Sequence, residues 1–193
     1  ILLSSGCIST HDPAVSTGRT PNIFPDYKEV TIPFNIAPLN FRVDEESQGI
    51  VVVVSGKEGS FEVTSANASL RMPAKKWSKI LKENIGGYIE IKVSFKSQKE
   101  FKVFETFRIY VSGDPIDEYF VYRQIMPGFQ NWNQMGIYQR TLSGFRTKTI
   151  MNSKILPGTC MNCHSFALNN PENMVLHLRE SYGGKMIYSN GQV

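Results

Sequence analysis

The sequence has few of the cysteines and histidines that many catalytic and metal sites use. Three cysteines and three histidines occur among its 193 residues. The nucleophile motif Gly-x-Ser-x-Gly and the zinc-protease motif His-Glu-x-x-His are both missing, so no known hydrolase pattern is present. The net charge of +4 is spread along the chain without a block of Lys and Arg. We therefore predict that the protein is not an enzyme and binds no nucleic acid.

Long apolar runs are missing as well. Beyond the first few residues, no stretch approaches the ~18 apolar residues that a transmembrane helix needs. Hydrophobic residues make up 41% and charged residues 20% of the chain, which is typical of a globular domain and not of a disordered one. The length suits one large or two small domains. We expect a folded protein that does not span a bilayer.

One motif is specific enough to suggest a cofactor: Cys160-Met161-Asn162-Cys163-His164. Two cysteines separated by two residues and followed directly by histidine form the attachment motif of c-type haem. The spacing lets both sulfurs reach the porphyrin edge and turns the adjacent imidazole under the iron. The motif predicts one covalently attached haem c, held by Cys160 and Cys163, with His164 as an axial ligand.

Three other interpretations of the cysteine pair stay open. A Cys-x-x-Cys pair can be a redox dithiol, although no thioredoxin-like βαβ unit surrounds Cys160. Zinc could be bound by Cys160, Cys163 and His177, but a fourth ligand at finger spacing is missing. A plain disulfide between Cys160 and Cys163 would leave His164 without a role.

The second axial ligand has few candidates. His11 lies in the expected tether, so His177 is the predicted distal ligand, with Met174 and Met161 as its rivals. Alternation along the predicted strand 173–179 places His177 and Met174 on opposite faces, so both cannot face the iron. The alternative is that His177 is a hydrogen-bonded structural residue.

The amino-terminal residues resemble an export signal. Residues 1–7, ILLSSGC, look like the end of a secretory hydrophobic region with small residues before Cys7. The bacterial lipobox has this form, and its cysteine is lipidated, although Ser4 stands where leucine is commonest. We expect residues 1–22 to be a signal remnant, lipobox and polar tether in a longer precursor. An unpaired thiol is the alternative for Cys7.

Residue alternation predicts a mainly β protein with two domains. An immunoglobulin-like β-sandwich is predicted at 23–114, with strands at 27–33, 39–43, 50–54, 61–63, 88–95 and 101–111. One amphipathic helix is predicted at 73–84, where Trp77, Ile80 and Leu81 recur at helical spacing. A turn cluster at 112–115 marks the domain boundary.

Residues 115–193 are predicted to form the first, incomplete blades of a β-propeller. Short strands are expected at 118–125, 136–142, 147–151, 173–179 and 185–189, with the Cys-x-x-Cys-His motif in the long loop between the third and the fourth. Two blades fit at most, whereas a propeller needs several more to close. The domain is therefore expected to continue beyond Val193.

Several segments resemble a family of TolB-like β-propeller proteins of the bacterial envelope, often labelled cytochrome c biosynthesis proteins. They are IFPDY at 23–27, VTIP at 30–33, NIAPLNF at 35–41, NWNQMGIYQR at 131–140 and CMNCHSF at 160–166. The resemblance covers nearly the whole chain after the tether and is most specific around Cys160. It implies a leading sandwich, a propeller starting after residue 114, and a Cys-x-x-Cys-His insertion early in that propeller.

Together these features predict a lipoprotein of the bacterial envelope, facing the periplasm or the cell surface, that carries one c-type haem. Its expected use is electron transfer or haem-based sensing, with axial ligation and burial setting the potential. The expected partners are envelope proteins or a redox partner, with the propeller as docking platform and the lipid on Cys7 as membrane anchor. The alternative is a structural or partner-binding envelope protein in which Cys160 and Cys163 form a disulfide or zinc pair.

Overall fold

The computed structural model describes residues 14–45, 49–96, 100–125, 127, 135–155, 159–170, 172–180 and 182–189. In these ranges the chain is mainly β, with 52% strand, one α-helix and no closed sheet. The mainly β prediction is thus confirmed. Nowhere in the described ranges is there a helix with the length and apolarity that crossing a bilayer requires. The chain divides into two compact units, one ending at Ile116 and the other starting at Asp117.

The first unit contains nine of the described strands and the helix. They are β1 Ala14–Ser16, β2 Ile23–Phe24, β3 Thr31–Pro33, β4 Arg42–Val43, β5 Ile50–Gly56, β6 Gly59–Ser65, α1 Ala74–Glu83, β7 Tyr88–Lys96, β8 Phe101–Val103 and β9 Phe107–Ser112. Seven strands form one sheet in the order β1-β8-β7-β5-β6, with β9 on β7 and β3 on β9. Strands β2 and β4 form a separate antiparallel pair.

The core of the first unit lies on one face of the large sheet. Alternate residues of β9 are buried, as expected for a sheet with one core face. Strand β5 is the apolar run IVVVV; its Ile50, Val52 and Val54 belong to this core, and Val51 is buried on the other face. The side chains that cover this face come from α1, the β2–β4 pair and nearby segments; they include Trp77, Ile80, Leu81, Ile23, Phe41, Val43, Leu70 and Met72.

Helix α1 forms as predicted, and its end is fixed by one buried amide. Pro73 precedes the helix, where the absence of an N–H costs nothing. At the other end, Asn84 Oδ1 accepts a hydrogen bond from the Lys57 backbone N–H at 2.8 Å, and its Nδ2 donates to the Ile80 carbonyl at 2.7 Å. A Cβ on Gly56 would collide with this amide. The glycine and the asparagine therefore join the β5–β6 turn to the helix end.

Three strands of the first unit are shorter than the sequence pattern predicts. The predicted strand 39–43 is reduced to β4. The predicted strand 27–33 is reduced to β3, because Glu29 has φ 57° and bonds to β9 through both its backbone and its carboxylate. The predicted strand 101–111 is split into β8 and β9, which both pair with β7. Between them Phe104 is buried and its ring stacks on Phe95 at 5.1 Å. Burying this ring interrupts the strand.

The second unit contains two antiparallel three-stranded sheets. Their strands are β10 Tyr119–Gln124, β11 Gly136–Thr141, β12 Thr147–Asn152, β13 Thr159–Phe166, β14 Asn173–Glu180 and β15 Gly184–Ser189. The strand orders are β10-β11-β12 and β13-β14-β15. Five of these strands lie where alternation predicts them. The prediction that the Cys-x-x-Cys-His motif lies in a loop is wrong, since residues 159–166 form β13.

The described core of the second unit is small. Ile137, Met161, Leu176 and Leu178 form one buried cluster. On the other face of the first sheet, the rings of Phe120, Tyr122 and Tyr138 stack at centroid distances of 5.7 and 5.8 Å. The cluster takes residues from both sheets, and Met161 comes from within the cysteine motif.

Candidate cofactor attachment site

The Cys-x-x-Cys-His motif occupies β13, an edge strand. Among the described strands, β13 pairs with β14 and with no other. The register pairs Cys160 with Arg179, Met161 with Leu178, Cys163 with His177, His164 with Leu176, Ser165 with Val175 and Phe166 with Met174. The motif is therefore held to its sheet by one ladder of hydrogen bonds.

That ladder is irregular inside the motif. The register shifts between Met161 and Cys163, which makes Asn162 the extra residue of a β-bulge. The bulge puts Met161 and His164, three positions apart, opposite Leu178 and Leu176, which are both buried. Met161 and His164 therefore share the face that packs into the core, although plain alternation would separate them.

Cys163 and His164 point to opposite faces of the sheet. Cys163 is a free, exposed thiol, and it stands directly opposite His177. His164 is half-buried on the other face, where its ring meets that of Phe166 edge to face at a centroid distance of 6.2 Å. Since neighbours on a strand alternate, the imidazole that shares the face of Cys163 is that of His177.

The surroundings of Cys163 are polar and positively charged. His177 lies between Cys163 on one neighbouring strand and Lys185 on the other. Lys185 is exposed, as is Arg179 two residues after His177. An exposed thiol is accessible to an incoming group, whereas structural cysteines are buried and inert. The face can thus offer a thiol and an imidazole together to an incoming group.

The predicted alternation of β14 is confirmed. Leu176 and Leu178 are buried, Arg179 is exposed, and His177 lies on the face opposite Met174. Of the rival ligands, Met161 is 0% exposed and packs in the buried cluster. Its side chain belongs to the core face, away from Cys163.

In its strand conformation the motif does not fit a c-type haem. Covalent attachment at Cys163 and ligation by His164 need both side chains to reach one porphyrin, and β13 presents them on opposite faces. His164 and His177 also lie on opposite faces of adjacent strands, so this conformation does not offer both to one iron. The backbone of Cys160 stands opposite Arg179, and its side chain is outside the described set.

The predicted lipidation site and the predicted cofactor site are not tested by the described residues. Cys7, the predicted lipidation site, lies outside the described residues. Where side chains are described, no three or more from His, Cys, Asp and Glu converge as a metal site. Because that set excludes Cys160, the haem and zinc interpretations both stay predictions.

Sequence reasoning named Met161 as a rival ligand and missed its place in the core. Leu176 and Leu178 recur two apart in a predicted strand, which signals that a neighbouring strand must supply an apolar partner. The register that makes Met161 this partner depends on the bulge at Asn162. The sequence therefore indicates that Leu176 and Leu178 need an apolar partner, but it does not indicate which residue this is.

Comparison with protein-family models gives no match for the chain, and comparison with curated proteins gives none either. The assignment of a function therefore depends on the motif and on the geometry of β13 and β14. The exposed thiol of Cys163 and the neighbouring imidazoles are the groups that an assignment has to explain.

Proposed function

We propose that the protein is a lipoprotein of the bacterial envelope that carries one covalently attached c-type haem for electron transfer or haem-based sensing. The observation that carries the proposal is the Cys-x-x-Cys-His motif on an edge strand, with Cys163 free and exposed. Cysteine is among the most buried residue types, so its exposure here favours a reactive role. Cys160 and Cys163 are the attachment residues, His164 is an axial ligand and His177 the candidate distal ligand.

The proposal includes an architecture finer than a mainly β chain. The second unit is the start of a β-propeller, which is supported by two consecutive antiparallel sheets, each with its strands in chain order. The first unit is an immunoglobulin-like sandwich, supported by short, mostly antiparallel strands around one core. The lipid on Cys7 anchors the chain, and envelope proteins or a redox partner bind it. The protein has no catalytic role.

When bound, haem supplies one-electron chemistry at its iron, and its potential depends on axial ligands and burial. The protein contributes the two thiols, the imidazoles and the scaffold of β14. Cys163 and His164 point apart in β13, so the described strand does not by itself present both side chains to one porphyrin.

The test is to export the full precursor in a host with c-type maturation. We expect a Soret band and a coloured band that survives denaturing electrophoresis, because thioether bonds persist on unfolding. The Cys160→Ser/Cys163→Ser double variant should lose the band, and Cys7→Ala, the matched control, should keep it. A colourless wild type whose Cys160 and Cys163 are alkylatable or disulfide-linked would contradict the proposal.

A second candidate is a partner-binding envelope protein in which Cys160 and Cys163 form a zinc pair or a disulfide. The observation that favours it is the register of Cys163 with His177, because thiolate and imidazole on one face are zinc ligands. Colourless protein should then contain zinc that is lost in His177→Ala and kept in His164→Ala. Equal zinc content in both variants would exclude His177 as a ligand.

A further inference from the structure

The amino-terminal part of the first unit runs along an outer edge of the large sheet. Strand β1 pairs in parallel with β8, and β3 pairs in parallel with β9. Two backbone bonds continue the contact of β1. The Thr17 N–H donates to the Val103 carbonyl at 3.0 Å, and the Glu105 N–H donates to the Arg19 carbonyl at 2.9 Å. Residues 14–20, which we call the strap, therefore cover the edge of β8.

The strap has little packing to hold it. The structure describes all of its residues, and none of them is buried. Ile32 of β3, on the same edge, is 6% exposed and belongs to the core. The chain enters the folded unit at Pro21, which is buried and whose carbonyl accepts a hydrogen bond from Lys28 Nζ at 3.1 Å. Because segments with few buried contacts open first, the strap can open while the rest of the unit stays folded.

The side chain of Arg19 connects the strap to two side chains of the folded unit. Its guanidinium lies over the Phe104 ring, with 5.1 Å between the guanidinium carbon and the ring centroid. Its Nη2 also donates to Glu45 Oε1 at 2.6 Å. Phe104 is buried and the Glu45 side chain is only 18% exposed, so the folded unit positions both partners. Stacking on a ring and pairing with a carboxylate are the two contacts that a guanidinium makes best.

We propose that the strap is releasable, that Arg19 is its latch, and that release lengthens the tether between Cys7 and the first unit. The inference rests on the proposed lipid anchor at Cys7 and deepens it. Ala14 lies 7 positions after Cys7, and Pro21 lies 14 positions after it. The extended chain therefore spans at most ~25 Å from the anchor to the closed strap, and at most ~50 Å from the anchor to Pro21 when the strap is open. The latch thus sets how far the folded unit can stand from the membrane.

Hydrogen exchange tests the latch without the lipid. In Arg19→Ala we expect the Thr17 and Glu105 amides, which join the strap to the sheet, to exchange about 5-fold faster or more, because the stacking and the ion pair are both lost. The Phe104 amide donates to the Val93 carbonyl of β7 at 3.0 Å and should keep its wild-type rate. Unchanged rates at Thr17 and Glu105 would overturn the inference. Equal acceleration at Phe104 would also overturn it, because the whole unit would then open.

Arg42→Ala is the matched control for this variant. Arg42 makes the same two kinds of contact in the first unit, with its guanidinium carbon 5.9 Å from the Phe24 ring centroid and its Nη2 3.4 Å from Asp44 Oδ1. It does not contact the strap, so the Thr17 and Glu105 amides should exchange at wild-type rates. Opening of the strap to the same extent by both variants would refute the specific role of Arg19.

Proteolysis tests the same step in the anchored protein. No lysine or arginine precedes Arg19 in the sequence, so trypsin cleavage after Arg19 separates the folded unit from Cys7. Glu45→Gln keeps the cleavage site and removes the ion pair. When the lipidated full chain is bound to vesicles of phosphatidylethanolamine and phosphatidylglycerol, this variant should release a fragment beginning at Thr20 about 2- to 10-fold faster than wild type, because cleavage follows the population of the open form.

Asp44→Asn, which removes the neighbouring carboxylate, is the control and should match wild type. Mass spectrometry identifies the fragment and its rate of appearance. Equal rates in the wild type, Glu45→Gln and Asp44→Asn proteins overturn the inference alone. A wild type that never binds the vesicles contradicts the proposed anchor at Cys7, and the exchange rates at Thr17 and Glu105 still decide whether Arg19 latches the strap.

Discussion

The two units of the chain use their strands differently. In the first, buried side chains come from the sheet, the helix and the β2–β4 pair, and they form one continuous cluster. In the second, the described cluster consists of Ile137, Met161, Leu176 and Leu178 with a few partly buried neighbours. Most apolar side chains of the first unit pack into one core, whereas the second unit leaves the thiol of Cys163 exposed outside its core.

Backbone strain shows the same contrast. In the first unit Glu29 adopts φ 57°, and two hydrogen bonds to Arg108 hold it: its N–H donates at 2.8 Å and its carboxylate accepts at 2.9 Å. Arg108 in turn donates to Glu90, which raises the pKa of Arg108. In the second unit Leu168 adopts φ 52° with its side chain fully exposed. The strain at Glu29 is fixed by bonds to a neighbouring strand, whereas Leu168 lies in a turn closed by a local hydrogen bond from the Asn170 N–H to the Ala167 carbonyl at 2.9 Å.

The largest effect should come from emptying the core of the first unit. Trp77 is buried, and its Nε1 donates to the Ile36 carbonyl at 3.2 Å. Trp77→Ala should lower the free energy of unfolding by about 3–5 kcal/mol, because it leaves a large cavity. Urea unfolding followed by circular dichroism measures this. Exposed Lys75→Ala is the control, and a Trp77→Ala loss no larger than the control's would refute the packing described here.

A comparable effect should arise inside the cysteine motif, where Met161 packs in the core and Cys163 does not. Met161→Ala should cost the second unit about 2–5 kcal/mol, since Met161 is fully buried. Cys163→Ala, on the exposed face, should change stability by less than about 0.5 kcal/mol. Thermal unfolding of both variants beside wild type measures these losses. Similar losses in the two variants would mean that β13 does not have this register.

A smaller loss is expected at the end of α1. Asn84→Ala removes the side-chain amide that bonds to both the Lys57 N–H and the Ile80 carbonyl. Leaving such groups unpaired in a buried place should cost about 1–3 kcal/mol. Asn67→Ala, where water can replace the lost bonds, is the control in the same urea titration. If the two asparagines were equivalent, the buried amide would not fix the helix end.

The smallest effect should be a gain. Asparagine tolerates the left-handed conformation of residue 168 better than leucine, so Leu168→Asn should stabilise the second unit by up to about 1 kcal/mol. Ala167→Asn, at a position without positive φ, is the control. The melting temperatures of the two variants and of wild type measure the difference. A destabilised Leu168→Asn would show that the exposed leucine has a contact partner.

Alternation and helical spacing predict most of the strands and α1, because their side chains follow one period. Strand β13 escapes prediction because the bulge at Asn162 spaces its core-facing residues as Met161, His164 and Phe166. Three-residue spacing followed by two-residue spacing matches neither a strand nor a helix. The motif also predicts which residues carry the chemistry. It does not predict that Cys163 stands opposite His177, because strand register depends on contacts distant in sequence.

The edge position of β13 has a consequence for self-association. From Thr159 to Phe166 the strand carries no charged side chain, and in the described structure no strand pairs with its outer edge. Edge strands usually carry lysine, proline or other charges that prevent the sheets of two molecules from joining. The described chain lacks this protection at β13. Two copies could therefore extend their sheets edge to edge there, so a high concentration of the chain would favour β-aggregation.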